Sequence, residues 1–134
     1  DASLLLIPLV GLLQASDERL QSTFERIQSE LSTNGLLRRY RTELTDDGLT
    51  GSEGMLLWCS FWQVRYLTRL GRTGEARELY ERLLGHRNHV GLYSEMVEPY
   101  SGEPLGNVPQ ALNHLEAIIA GLELQETIGN AQGG

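Results

Sequence analysis

Lysine is absent from this chain of 134 residues, so all 11 basic side chains are Arg, against 18 Asp and Glu. That absence is a bias of composition and implies no mechanism. The formal net charge of −7 has a clearer consequence. Neutralising phosphates takes clustered Lys and Arg, so the balance argues against a nucleic-acid partner. A neutral ligand fits better. Cysteine is nearly absent too: the single Cys59 rules out an internal disulfide framework and a Cys-based zinc site. It lies in the apolar run MLLWCSFW with no base evident nearby, and reads as a buried structural thiol.

Long hydrophobic runs are also missing. ASLLLIPLVGLL is about a dozen residues, short of the roughly 20 that span a bilayer, and it has no basic flank of the secretion type. No membrane partner is expected, and the lone Cys without a visible signal favours the cytoplasm. The chain lacks an initiator Met and reads as a segment of something longer. Phosphate-cradling GxGxxG or GxxxxGK[ST] spacing does not occur. His86 and His89 sit in a helix-terminal Gly-His-Arg-Asn-His with no third ligand at zinc spacing. His114 falls in the last helix. No metal and no cofactor are expected.

What is present is helical. Hydrophobic residues make up 40% of the chain, enough for one domain with a real core. Asp1 caps an expected helix from Ala2 to Gln14, kinked or broken at Pro8. Ser16-Asp17 opens a second to Leu31, with Leu20, Phe24, Ile27 and Leu31 on one face, stopped at Asn34-Gly35. Leu36–Gly54 reads as a long loop with a short extended piece around Leu36–Tyr40. A third helix is predicted from about Glu53 to Leu70, and a fourth from a Thr73 cap to Leu84 after the tight Gly71–Gly74 turn. A second long loop, Gly85–Val108, leads to a fifth helix from Pro109 to near Leu124. Residues 125–134 read as a frayed tail. Nothing alternates with period two, so the fold class is all-α. Tight turns on one side and long polar loops on the other suggest a ring of helical hairpins whose loops build a site.

Three stretches carry a resemblance: DASLLLIPLVGLL with GLLRRYR, EGMLLWCSFW with LGRTGEARELYERLL, and GLYSEMVEPYSGEPLGNVPQALNHL. In order and spacing they resemble the glucoamylase/trehalase-type glycoside hydrolases, family fifteen, over roughly Asp1 to Glu123. The resemblance implies a toroid of six helical hairpins, the (α/α)6 barrel, hydrolysing α-glucosidic bonds with inversion. It makes this chain the carboxy-terminal segment of one catalytic domain acting on an oligosaccharide or disaccharide. Of the family's two glutamates it would hold only the general base, with the acid lying before Asp1.

Under that resemblance Glu95 falls on the general base, Arg39 on an arginine that contacts sugar hydroxyls, and Glu53 on a pocket-lining position. Met96 departs from the family's frequent Glu or Gln, and Trp58 from the Leu more common in bacterial members. Inverting hydrolysis needs one carboxylic acid for the leaving oxygen and one carboxylate for water, roughly 6.5–9.5 Å apart. Plainer readings stand beside each residue. Glu95 could be a solvated loop acid, and Arg39 could pair with Glu43. Glu53 could be a helix-start carboxylate, and Tyr93 could border a pocket or pack beneath its loop. Trp58 and Trp62 read as core rather than as sugar platforms.

Two competing classes remain. LGRTGEARELYERLL also resembles one hairpin of a tetratricopeptide-like interaction module, but such arrays recur at about 34 residues and the unit occurs once. The other is a helical bundle without a site. The Pro/Gly-rich stretch Gly91–Gln110 discriminates, because a barrel has use for it and a repeat array has none. An arc cut from a ring should also leave apolar flanks bare, with Met55–Trp62 and Leu4–Leu13 as the expected patches, and should self-associate.

Overall fold

A computed structural model of the chain describes residues 1–44, 48 and 53–132. The middle of the first expected loop and the last two residues of the tail lie outside the described residues. The fold is mostly helical, in agreement with the all-α expectation.

After a 3₁₀ turn at Ala2–Leu5, capped by Asp1 through Ser3 N (2.7 Å), come α1 (Leu6–Leu9) and α2 (Glu18–Leu31). The first helix therefore stops well short of Gln14. Pro8 has no N–H to donate, and Gly11, at φ +76°, turns the chain away within one further turn. Asp17 caps α2 by accepting from Arg19 N at 3.0 Å, and the helix buries the Leu20, Phe24, Ile27 and Leu31 stripe as its spacing predicts.

Asn34 and Gly35 do more than end α2. Their positive φ values, 50° and 76°, make the tight turn of a hairpin between β1 (Ser32–Thr33) and β2 (Leu36–Leu37). A second small sheet orders β3 (Met55–Leu56), β4 (Met96–Val97) and β5 (Pro104–Leu105), all antiparallel. These two-residue ladders are too short to show period-two patterning. They consume Met55 and Leu56, so α3 (Leu57–Arg69) begins four residues later than expected. Glu53 accordingly lies ahead of the helix, and the helix-start reading of that carboxylate fails.

Helix α3 is the hub. Leu57, Cys59, Phe61, Val64, Tyr66 and Leu67 are all buried, because α1, β2, α4 and α5 cover it on different sides. Tyr66 donates to Ala15 O (3.1 Å) and packs its ring 4.8 Å from Phe24, tying α3 to the amino-terminal arm. The return into α4 (Thr73–Leu84) is made at Gly71, φ +74°. Arg72 rather than Thr73 occupies the cap position there, so Thr73 is the first helical residue.

The last helix, α5 (Ala111–Gln132), starts after Gln110 and runs well past Leu124. Two contacts explain the extra length: Leu124 and Ile128 join the core, and Thr127 bonds back to Glu123 O at 2.9 Å. Its inner face is Asn113, Ala117, Ala120 and Leu124, and the two alanines leave room for α3 and α4 to approach. Tyr80 bonds Ala117 O (3.1 Å), and a Cβ on Gly121 would collide with its hydroxyl.

The bare apolar surface is not all where the sequence suggested. Met55–Trp62 is interior apart from the half-buried Trp58, with Trp62 only 8% exposed, and the strand pairing and α5 pack against it. Leu4, Val10 and Leu12 are exposed as expected, but the main uncovered stripe is Leu115, Ile118 and Leu122 on the outer face of α5.

Candidate active site

The loop from Gly85 to Gln110 is built by side-chain substitutes for secondary structure. Asn88 Oδ1 accepts from Val90 N (3.0 Å) and Leu92 N (2.9 Å), folding the first turn. Tyr93 follows, with its N–H donated to His114 Nε2 at 3.2 Å and its carbonyl accepting from Gln110 N at 2.9 Å. These two bonds staple the segment leading into β4 onto the start of α5.

Tyr93 is 2% exposed, edge-on to Phe61 (5.7 Å) and to His114 (5.2 Å). Burial pushes its phenol up to about 12. Of the two readings of Tyr93, this burial favours packing beneath the loop. His114 is likewise occupied as a hydrogen-bond acceptor, and no metal-ligating cluster exists among the described residues.

Glu95 is half-buried immediately before β4. Its backbone is gripped on both sides: its N–H donates to Asn107 O (2.9 Å), and its carbonyl accepts from Asn113 Nδ2 (3.1 Å). Asn113, 0% exposed, also holds Ser94 O at 2.6 Å. The carboxylate is gripped as well. Oε2 accepts from Asn107 N (3.1 Å) and Asn107 Nδ2 (2.9 Å). Among the described residues no hydrogen bond reaches Oε1. Gly106 makes this possible, since a Cβ there would lie 2.8 Å from Oε2 and 2.9 Å from Glu95 Cβ, at a backbone φ of +74°.

Glu98, three residues on, does different work. Its Oε2 accepts from Tyr100 N (2.8 Å) and Ser101 N (2.5 Å), closing the β4–β5 turn. Those backbone N–H groups, Ser101's foremost, hold the Glu98 carboxyl below the usual range.

Arg39 leaves β2 with its carbonyl bonded by Ala2 N (2.7 Å). Its guanidinium lies 5.5 Å over the Tyr40 ring and 3.9 Å from Asp1 Oδ2, and the side chain is 52% exposed. The expected partner Glu43 pairs with Arg41 instead, at 3.0 Å. Among the described residues, Asp1 is the carboxylate closest to the half-exposed Arg39 guanidinium. Glu53 is half-buried just before β3. Burial drives the Cys59 thiol strongly up, with the charge of Arg39 opposing the rise and those of Glu53 and Glu116 adding to it. Cys59 is thus an inert core thiol. The register Leu56↔Met96 sets Glu95 beside the start of α3.

Three residues here escaped the reading of the chain: Gly106, Asn107 and Asn113. Leu-Gly-Asn was part of the resemblance but carried no role, and a buried Asn on a helix face leaves no periodic signal.

The family described as "Glycosyl hydrolases family 15" matches residues 1–122. Trehalase of Mycobacterium tuberculosis is 48% identical over 120 residues, covering 90% of this chain and 18% of that protein. Trehalase of Thermoplasma volcanium is 44% identical over 129 residues, 96% of this chain and 20% of its own length. Trehalase 1 of Sulfolobus acidocaldarius is 30% identical over 120 residues, 90% of this chain and 21% of its own length. No solved structure matches the chain. The chain spans about a fifth of the length of the curated relatives it matches. With the match spanning Arg39, the α3–α4 hairpin and the Glu95 loop, the chain belongs to glycosyl hydrolases family 15.

Proposed function

We propose that this chain is the carboxy-terminal part of a single (α/α)6 catalytic domain that hydrolyses trehalose with inversion, with Glu95 as the general base. One observation carries the reading: a half-exposed carboxylate with its backbone and one oxygen immobilised and the other oxygen open. The names of the relatives above favour trehalose over starch-like or dextran-type glucans.

The chemistry follows from that oxygen. A water held by Oε1 gives up a proton to the carboxylate as its oxygen bonds to one anomeric carbon, and the C1–O bond to the other glucose breaks. The leaving oxygen takes a proton from a carboxylic acid on a part of the protein outside this chain. Arg39 supplies planar donors to sugar hydroxyls, and Glu53 is assigned to the lining of the sugar pocket. Trehalose is an α,α-disaccharide, so inversion at one carbon releases one β- and one α-glucose per molecule. Proton NMR of the full-length protein with trehalose should record the two anomers forming at equal initial rates. Initial formation of α-glucose alone would overturn inversion, and glucose release from maltose but not trehalose would overturn the substrate.

Half of the carboxylate pair does not suffice. The isolated chain should release no glucose from trehalose, maltose or isomaltose, because losing one member of such a pair costs on the order of 10²–10⁴ in rate. Steady release by the purified chain, absent from its Glu95→Gln variant, would defeat this partition.

The outer stripe of α5 belongs to the same proposal. Leu115, Ile118 and Leu122 are covered by the remainder of the barrel in the full-length protein. Cut free, the chain should self-associate and bind an apolar dye, and Ile118→Glu should reduce both. A monomer at high concentration with no dye binding would argue that the stripe is not a packing face.

A further inference from the structure

We propose that Asn107 is a positioning residue for hydrolysis: it commits Oε2 of Glu95 and thereby reserves Oε1 as the atom that takes the proton from water. The inference rests on Glu95 acting as the base. A glutamate side chain has three rotatable bonds before its carboxylate, and a base must hold water within ordinary hydrogen-bond reach of the reacting carbon. Freezing that side chain is therefore part of the work.

The loop does this with a closed ring of bonds. Asn107 is at once an acceptor for the Glu95 N–H (2.9 Å) and a double donor to Oε2, through its own backbone N (3.1 Å) and Nδ2 (2.9 Å). One residue thus fixes both ends of Glu95. Asn113 anchors the same segment from α5 by holding the carbonyls of Ser94 and Glu95 at 2.6 and 3.1 Å. Gly106 leaves the carboxylate room to lie beside it, since a Cβ there would stand only 2.8 Å from Oε2. Two donors saturate the lone pairs of Oε2, so a water that approaches the group has Oε1 to bind. The pinned oxygen is a charge-assisted acceptor, the stronger kind of hydrogen bond.

The test uses the full-length enzyme with trehalose, and four variants. Asn107→Ala removes Nδ2 but keeps the backbone bonds. It should lower kcat about 10- to 100-fold, the worth of one hydrogen bond to a charged group, with KM little changed because the substrate's own contacts remain. Asn107→Asp keeps the shape, replaces the donor with a second acceptor, and should lose at least as much. In the Glu95→Gln background, Asn107→Ala should cost nothing further, since the group it positions no longer takes a proton. A purely structural Asn107 would instead add its loss in both backgrounds. Normal kcat in Asn107→Ala or Asn107→Asp, a loss confined to KM, or equal losses in both backgrounds would each overturn the proposal. If Asn107→Ala does not accumulate folded, Asn107→Asp decides alone. Should Glu95→Gln itself turn over normally, the base assignment falls and this proposal with it. A dead Glu95→Gln beside a fully active Asn107→Ala refutes the positioning role only.

Discussion

Glu95→Gln in the full-length enzyme should lower kcat by at least about 10²-fold while KM changes little. Glutamine preserves the shape of the side chain and can still accept from Asn107 through its oxygen, so the loop geometry of 2.9 and 3.1 Å survives the change. What is lost is the ability to take a proton from water, an interaction that exists only in the transition state. For that reason kcat and kcat/KM should fall together. Azide, a nucleophile that needs no base, should partly restore turnover in Glu95→Ala and give a product of inverted configuration. Glu98→Gln is the matched control. Glu98 accepts two backbone N–H groups of its turn through one oxygen, and Gln retains such an oxygen, so activity should stay near normal. A dead Glu98→Gln with an active Glu95→Gln would move the base by three residues. Two active variants would remove hydrolysis from this loop.

Arg65→Met should destabilise the fold by about 3–5 kcal/mol, the usual cost of leaving partners of a buried ion pair uncompensated. Arg65 reaches from α3 to α5, with Nη1 2.9 Å from Glu116 and with Nε and Nη2 at 3.1 and 2.9 Å from the two oxygens of Glu123. Arg65 and Glu116 are each 12% exposed, too enclosed for water to replace the lost partner. Arg69 adds a weaker contact to Glu123 at 3.2 Å. Replacing all three of Arg65, Glu116 and Glu123 with apolar residues of similar volume should recover most of the loss, because no charge is then stranded. Urea titration of the three forms measures this, and an Arg65→Met protein as stable as the parent would refute it.

The same cluster sets an acid limit. Burial alone would raise the Glu123 carboxyl, but the Arg65 hydrogen bonds, with the charges of Arg65 and Arg69, outweigh it and hold the group below its ordinary value. A depressed carboxylate contributes its stability above the unfolded pKa of about 4.3, and that share disappears as pH falls through the lower folded value. Melting curves should therefore show loss of this contribution below about pH 4, and Glu123→Gln should flatten that part of the profile.

Leu20, Phe24, Ile27 and Leu31 returned on one face because helical period is a local property, and any 14-residue window contains it. The Gly71 return, the buried Cys59 and the all-α class follow from equally short-range signals. The Glu95 loop was legible through its motif of Tyr-Ser-Glu and Leu-Gly-Asn, which is a pattern of residue types along the chain.

Other features depend on residues distant in sequence. Met55–Leu56 pair with Met96–Val97 some 40 positions away, and that pairing, unseen in any local pattern, trims α3 and moves Glu53 out of its mouth. The run Met55–Trp62 is apolar in every reading, but whether such a run faces solvent or core depends on what packs over it; here α5 and the strands do. Tyr93 could have bordered a pocket by its chemistry, and the positions of Phe61 and His114 enclose it instead. Glu95 is one acid among 18 Asp and Glu residues in composition. It becomes distinct when Asn107 and Asn113, 12 and 18 residues further on, converge on it. Residue type and periodicity are written along the chain, whereas the direction of a hydrogen bond and the covering of a surface require two separated segments to meet.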